Sequence, residues 1–209
     1  MTLAVLGYAA FEFAGEVSGH AALKPAAPPP AARASQAAAT ATATFPTPTA
    51  AATTLTPVPP RPRLIVPVSA VAFGPDGTAD GDNPQIAARV LTDPALGWVS
   101  QWYATPGFGD LKQGTGLLLD LGRTVTVTTV TLSLGSPPGT ALELRLGAAP
   151  DLSALPVVTT ATATRDQLRL PLASPAKARY VLLWFTRLPP DDAGTYQLFV
   201  HQVAIQGHP

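Results

Sequence analysis

The sequence contains no cysteine, and this absence excludes several kinds of chemistry. Without a thiol the chain can form no disulfide, no thiolate metal site and no thiol nucleophile. The absence leaves the cellular compartment open, because a folded part of about 140 residues can bury enough apolar surface to be stable without disulfides.

Charged residues are also scarce, at 12% of the 209 residues, and 13 Lys and Arg balance 13 Asp and Glu. The arginines are scattered along the sequence rather than clustered. A protein that binds a polyanion normally displays a cluster of basic residues. We therefore expect no nucleic-acid partner.

Histidine is too rare to build a catalytic site, since the sequence has only His20, His201 and His208. We expect His201 to be a strand-edge residue. The aspartates do not form an acid and base pair for glycoside hydrolysis, because Asp120 has a structural context and Asp191 and Asp192 follow two prolines in a turn. We predict that the protein is not an enzyme.

The first 63 residues contain no segment that is apolar enough to span a membrane. Residues 1–23 are largely apolar, but Glu12 and Glu16 interrupt them, and no basic residue precedes Lys24. A membrane-spanning helix needs about 20 apolar residues, and an export signal begins with basic ones. We expect a short helix, the end of an upstream domain or anchor that this chain lacks; an atypical export signal is the alternative.

Residues 24–63 consist almost wholly of alanine, proline and threonine. They have too few large apolar side chains to offset the entropy lost on ordering, so we predict a disordered linker that acts as a spacer. Linkers rich in threonine and proline also occur in extracellular stalks.

From residue 64 to residue 209 the sequence predicts many short strands with little helix. Alternating apolar residues such as Leu142, Leu144 and Leu146 indicate half-buried strands, and residues 178–186 are apolar on both faces. A slip in the alternation at residues 128–129 predicts a β-bulge. A single helix is predicted over residues 83–91, with Asn83 as its N-cap. These features favour an all-β fold, an antiparallel jelly-roll β-sandwich.

A stretch at residues 98–122 combines two of the three tryptophans with closely spaced glycines, and we interpret it as strand, loop and strand. Aromatic faces beside planar hydrogen-bonding groups are suited to carbohydrate binding. Trp102 could face the core or the surface, while Tyr103 is expected to face outward if Trp102 is buried. The candidate ligand-binding residues, from this loop and from the loop after residue 186, are Gln101, Trp102, Tyr103, Phe108, Lys112, Arg187, Asp192 and Tyr196.

Four motifs resemble, in order, those of the discoidin or coagulation factor type C domains, which have a galactose-binding-like jelly roll. They are AARVLTDPALGW at 87–98, GLLLDLG at 116–122, ARYV at 178–181 and VAIQG at 203–207. The resemblance covers about residues 66–207 and implies a non-catalytic module that binds sugars, lipids or proteins through its end loops. Where the family often has an Asp-Gly-Asp turn in a calcium site, this sequence has Leu91, Thr92 and Asp93, so calcium there is not expected.

Within that family, the segments FGPDG at 73–77, GDLKQG at 109–114 and FTRLPP at 185–190 are most similar to one actinobacterial branch. Its members are the extracytoplasmic tails of kinase-like envelope proteins, including those associated with the lipid II flippase. This resemblance implies an extracytoplasmic, cell-envelope location, with membrane attachment only through an anchor outside this chain.

We therefore expect a carbohydrate or envelope-glycan ligand of the peptidoglycan type. The alternative is a protein-interaction module of an envelope assembly complex. No cofactor is expected, although Asp76, Asp80 and Asp82 could hold calcium in the loop that contains them. The bland interpretation of these three aspartates is a solvated turn.

Overall fold

Strands separated by turns make up most of residues 60–209, the part of the chain that the computed structural model describes. The predicted segment 1–23 and linker residues 24–59 lie outside the described residues. The described strands are β1 (Arg63–Ile65), β2 (Ser69–Phe73), β3 (Trp98–Val99), β4 (Thr115–Leu134), β5 (Ala141–Gly147), β6 (Val157–Thr162), β7 (Gln167–Arg187) and β8 (Phe199–His208).

The helical segments of the described residues are all short. One α-helix, α1 (Arg89–Thr92), has four residues. The remaining segments are single 3₁₀ turns at Thr78–Asp80, Pro84–Ile86, Phe108–Asp110 and Leu152–Ala154.

Two long strands, β4 and β7, organise the sandwich because each runs through both of its layers. In one layer the order is β2, β4, β7, β5 and β6, where the first half of β4 pairs with the second half of β7. In the other layer the second half of β4 lies between β8 and the first half of β7, and β1 and β3 pair with β8. Every pairing is antiparallel, which confirms the predicted jelly-roll sandwich.

The strand β7 has apolar residues on both faces because both faces are covered. Residues 181–185 are all buried. Val181, Leu183 and Phe185 point into the main core between the layers. Leu182 and Trp184 point outward into a smaller cluster with Phe73, Leu118 and Leu155, which the loop between β5 and β6 helps to cover. The apolar character of both faces of residues 178–186 thus reflects a strand that is covered on both sides.

The predicted bulge in β4 is also confirmed. The register of β4 with both of its neighbours shifts between Val127 and Thr129. Val125 and Val127 before the shift and Val130 and Leu132 after it are all buried. The extra residue therefore restores the inward facing of the apolar side chains.

The prediction of one continuous helix over residues 83–91 is wrong. Asn83 has a φ of 45° and makes no capping hydrogen bond, and the segment forms a 3₁₀ turn at Pro84–Ile86 before α1 begins at Arg89. The side-chain amide of Asn83 instead donates a hydrogen bond to the carbonyl of Val99 (2.9 Å). A tertiary contact has replaced the local cap.

Within residues 60–209 we find no helix of the length and apolar character that a membrane span requires.

Candidate functional site

A buried carboxylate, that of Asp82, holds the strand that leads into the candidate loop. Asp82 is 2% exposed, and its main-chain carbonyl accepts a hydrogen bond from the indole Nε1 of Trp98 (2.9 Å). Its carboxylate accepts one bond from the backbone N–H of Gln101 (3.1 Å) and another from the hydroxyl of Tyr103 (3.0 Å). One acidic residue therefore anchors the chain on both sides of residue 102.

Lys112 completes this network instead of reaching solvent. Its Nζ lies 2.5 Å from a carboxylate oxygen of Asp82, and its side chain is 13% exposed. Burial alone would lower the pKa of Lys112, but hydrogen bonds to Asp82 and Tyr103 and the charge of Asp82 raise the pKa overall. Lys112 thus stays protonated, and its charge is neutralised within the protein. The ion pair gives Lys112 a role inside the loop, and the prediction that it contacts a ligand stays a prediction.

Two of the predicted ligand-binding aromatics are core residues. Tyr103 is 6% exposed and Phe108 is 1% exposed, and their rings meet edge to face at 5.3 Å. Burial raises the pKa of the Tyr103 hydroxyl. Both predictions for these residues are corrected: the rings brace the aromatic loop, defined here as residues 101–112, from inside. Tyr103 was expected to face outward only if Trp102 were buried, and Trp102 is exposed.

Trp102 is the aromatic residue that the loop presents to solvent. It is 67% exposed, whereas Trp98 in β3 is fully buried and stacks on Phe185. Gln101 beside it is also exposed. The question of whether Trp102 belongs to the core or the surface is settled in favour of the surface.

The second predicted loop does lie against the aromatic loop. The backbones of Tyr103 and Tyr196 exchange two hydrogen bonds of 2.9 Å, and the N–H of Leu188 donates to the carbonyl of Pro106 (2.9 Å). The side-chain amide of Gln197 donates to the carbonyl of Ser100 (2.9 Å). The Trp102 backbone is thus held between two supports, the Asp82 carboxylate on one side and the 187–197 loop on the other.

Three further candidate residues differ in their placement. Tyr196 is half-buried and packs against the main core, and its role in ligand binding stays a prediction. Arg187 is exposed at the end of β7, paired in register with Ala141. Asp192 is exposed in the turn after Pro190. In the part of the chain that the structure describes, no side-chain hydrogen bond or cation–π pair joins Arg187 or Asp192 to Trp102.

The adjacent Asp191 has a defined structural role in that turn. Its carboxylate accepts hydrogen bonds from the backbone N–H groups of Ala193 (2.9 Å) and Thr195 (2.8 Å) and from the Thr195 hydroxyl. The bonds from Thr195 are the main reason that its pKa lies below the ordinary value. Asp191 therefore remains ionised and fixes the shape of the turn.

The three aspartates considered for calcium are not brought together as ligands. Asp76 and Asp80 are exposed, but the Asp82 carboxylate is buried and already neutralised by Lys112. Among residues 60–209, no group of three His, Asp or Glu side chains is arranged to hold a metal ion. The hypothesis that these three aspartates hold calcium is corrected, because the carboxylate of Asp82 is already bonded to Gln101, Tyr103 and Lys112.

Sequence reasoning missed the bracing role of Asp82, which it considered only as a calcium ligand, and the exposure of Leu111. Asp82 lies thirty positions before Lys112, and no local pattern pairs the two. Leu111, at 82% exposed, presents a second apolar side chain on the aromatic loop. A structural role for Asp120 was predicted and is confirmed, since it accepts two hydrogen bonds from Arg179 (3.0 and 2.9 Å).

No protein-family model matches the chain. Among solved structures, it is similar to a family 32 carbohydrate-binding module of AlyQ in complex with 4,5-unsaturated mannuronic acid, at 15% identity and a TM-score of 0.48, covering 68% of this chain and 97% of that one. It is also similar to the family 32 module of Clostridium perfringens NanJ in complex with galactose, at 13% identity and a TM-score of 0.46, covering 69% and 98%.

A third similar structure is chitosan-binding module 1 of a chitosanase/glucanase from Paenibacillus sp. IK-5, at 17% identity and a TM-score of 0.47, covering 69% of this chain and 99% of that one. In a truncated AlyQ with both a carbohydrate-binding module and an alginate lyase domain, the chain spans only 34% of the length. The ligands in these complexes are those of the other proteins.

Proposed function

We propose that residues 60–209 form a non-catalytic carbohydrate-binding module in which Trp102 is the platform for a sugar ring. The observation that carries the proposal is the 67% exposure of this indole on a loop whose other aromatic rings are buried. A large apolar face left in water at a rigidly held position favours a binding surface over a packing role.

The surroundings of Trp102 supply what sugar recognition needs. The apolar C–H face of a pyranose can stack on an indole, and the planar amide of the neighbouring Gln101 can exchange hydrogen bonds with sugar hydroxyls. Because Asp82 and the 187–197 loop hold the backbone on either side, little conformational entropy is lost when a ligand binds.

The compartment and the ligand source are further parts of the proposal. The composition of residues 24–63 and the resemblance to tails of kinase-like envelope proteins support an extracytoplasmic module that recognises a cell-envelope glycan of the peptidoglycan type.

A rival function is favoured by a different observation. Trp102 and Leu111 together give the aromatic loop two exposed apolar side chains, and Trp is a residue type enriched at the energetic centre of protein interfaces. The rival is a module that docks a protein of an envelope assembly complex through the same loop.

Titration separates these two functions. The full chain would be titrated with muropeptides and with simple neutral oligosaccharides while tryptophan fluorescence is followed, since Trp102 is the solvent-exposed indole among the described residues. A saturable change in intensity or wavelength with a glycan supports the carbohydrate function. No response to any glycan, together with saturable binding to a defined envelope protein, would establish the rival function instead.

A further inference from the structure

Basic side chains that are scattered along the sequence meet at one end of the sandwich. Strand pairing shows this, since Thr126 of β4 pairs with Lys177 of β7 on one side and with His208 of β8 on the other. Arg63 of β1 pairs with Gly207, next to His208. The basic end is defined here by its Lys and Arg residues, which are Arg61, Arg63, Arg123, Lys177 and Arg179.

Arg61 and Arg123 lie at this end as well. Arg61 lines the same surface depression as Arg63. Arg123 lies in the bend of β4, just before the point where β4 resumes its pairing with β7 at Ala178 and Lys177. The sequence alone does not show this cluster, because residues 61, 123 and 177 come together only through the pairing of distant strands.

The side chains of the basic end carry a positive net charge. The segments that form it contain five Lys and Arg side chains and one carboxylate side chain; they are residues 60–69, 120–127, 176–180 and 205–209. The one carboxylate, that of Asp120, is paired with Arg179 (2.9 Å). The other four cations are exposed and form no salt bridge within residues 60–209. The balance stays positive even with the terminal carboxylate of Pro209, which lies in the same depression.

A strip of exposed apolar side chains adjoins the basic end. Alternate positions of residues 64–68 carry them, and they are Leu64, Val66 and Val68. Each of the three is at least 64% exposed. Leu64 directly follows Arg63, and Val68 lies so close to Gly122 that an added Cβ there would be 2.9 Å from its Cγ1. This apolar strip therefore has a basic residue beside each of its ends, Arg63 at one and Arg123 at the other.

The basic end is the end of the sandwich opposite the aromatic loop. Trp98, which leads into that loop, pairs with Val200 of β8, whereas Arg63 pairs with Gly207. Seven residues of an extended strand separate these two pairs, a distance of about 24 Å at the usual rise. A surface that contacts the basic end therefore leaves Trp102 free.

Cations that flank exposed apolar side chains fit the surface of a bilayer with anionic headgroups. Each Lys or Arg near such a surface strengthens binding by about fivefold, and apolar side chains that reach the boundary of the acyl chains add to it. A dissolved polyanion would use the charges but would leave the apolar strip in water. The combination of charge and apolar surface thus favours a lipid surface over a nucleic acid.

We propose that the basic end and the apolar strip form a peripheral contact with an anionic lipid surface, with the aromatic loop directed away from it. The proposal does not depend on the carbohydrate function, because no residue of the aromatic loop takes part. It departs from the expectation that the chain meets a membrane only through an anchor outside it.

The test measures the binding of the full chain to lipid vesicles by co-sedimentation. Vesicles of phosphatidylglycerol and phosphatidylcholine are compared with vesicles of phosphatidylcholine alone. The wild type should bind the anionic vesicles saturably and the neutral ones far more weakly, and its binding should fall as salt is added. Equal binding to the two kinds of vesicle would overturn the proposal, and so would no binding to either.

Single charge changes show whether the basic end makes the contact. Arg63→Gln and Lys177→Gln should each weaken binding to anionic vesicles by about fivefold. The control is Arg165→Gln, because Arg165 is an exposed arginine in the turn between β6 and β7, beside the other end of β4. It should bind like the wild type, and equal losses in all three variants would contradict the proposal. Residues 1–23 are the same in every variant, so any vesicle binding that they cause is common to all.

A change in the apolar strip separates a lipid surface from a dissolved polyanion. Val66→Ser should weaken vesicle binding by about threefold or more, whereas Leu96→Ser, at an exposed apolar residue outside the strip, should not. Wild-type vesicle binding by Val66→Ser, together with binding of the wild type to dissolved polyphosphate, would assign the basic end to a soluble polyanion and overturn the lipid surface.

Trp102→Ala separates this contact from the proposed carbohydrate function. It should bind anionic vesicles like the wild type, because Trp102 lies at the opposite end of the sandwich. Arg63→Gln should in turn keep the wild-type affinity for any oligosaccharide that the chain binds. Loss of vesicle binding in Trp102→Ala would move the membrane contact to the aromatic loop and overturn the proposal.

Discussion

At the scale of single residues, the candidate site combines one exposed side chain of the aromatic loop with several inward-facing ones. Trp102 faces water while Tyr103, Phe108 and Lys112 face inward and hold the loop. A ligand platform needs both roles, because an exposed ring binds tightly only when the chain beneath it is already ordered. The inward-facing residues are therefore positioning residues.

The buried pair of Asp82 and Lys112 should show strong energetic coupling. Removing one partner leaves the other as an uncompensated buried charge, so Asp82→Asn and Lys112→Met should each lower the free energy of unfolding by about 3 kcal/mol. The double variant should lose clearly less than the sum of the two. Urea denaturation of the four proteins measures this cycle. Additive losses would mean that the two charges act independently.

At the scale of elements, β4 and β7 are joined at the place where they bend between the layers. Asp120 of β4 accepts two hydrogen bonds from Arg179 of β7 and one from the backbone N–H of Gly122 (2.7 Å). The bonds from Arg179 are the main reason that the pKa of Asp120 lies below its ordinary value of 3.8.

The ion pair of Asp120 and Arg179 should make the free energy of unfolding fall as the pH is lowered. Because the folded-state pKa is the lower one, the contribution of Asp120 is fully present above its ordinary pKa and is lost as the pH falls through the folded-state value. Asp120→Asn should therefore be less stable than the wild type at pH 7, and the difference should shrink at pH 3. Urea midpoints at both pH values measure it. An Arg179→Gln variant that kept the full wild-type pH dependence would contradict the assigned cause.

The contact between β4 and β7 should also be intolerant of a side chain at Gly116. A Cβ there would lie 2.3 Å from the carbonyl oxygen of Leu183, so the strands would have to separate. Gly116→Ala should lower the free energy of unfolding by about 1–3 kcal/mol. The control is Gly107→Ala, because Gly107 has a φ of −94° and an added Cβ would have no atom within 4 Å apart from those of its chain neighbours. This variant should change the free energy of unfolding by less than about 0.5 kcal/mol. Equal effects of the two changes would argue against tight packing at Gly116.

At the scale of the whole molecule, the sequence predicted the sandwich well because its strands obey local rules. The shift at Val127–Thr129 follows from side-chain alternation alone, and so does the double burial of residues 181–185. Side-chain alternation does not predict correctly which residues face inward at the ends of strands. In β8, Val203 and Ile205 are buried as alternation requires, but a register shift against β4 turns Val200 inward and leaves Phe199 only partly buried.

The site was harder to predict because a contact between distant segments decides it. Simple alternation from Trp98 places Trp102 inside and Tyr103 outside. The structure reverses this, since Tyr103 turns inward to donate its hydroxyl hydrogen bond to Asp82, which lies 21 positions earlier in the chain. The aromatic composition of the loop identified the region of the site, but only the fold shows which ring is available to a ligand.

The central claim is that Trp102 is the platform for a glycan, and its direct test is the affinity of Trp102→Ala. The indole is 67% exposed, so its removal should leave the free energy of unfolding unchanged within about 0.5 kcal/mol. Leu96→Ala is the control, because Leu96 is a 54% exposed apolar residue in the turn before β3.

Calorimetric titration of the wild type and both variants with the same neutral oligosaccharide is the decisive measurement. Trp102→Ala should weaken binding at least about tenfold, since loss of an aromatic anchor costs more than about 1.4 kcal/mol, while Leu96→Ala should bind like the wild type. Wild-type affinity in Trp102→Ala would contradict the claim.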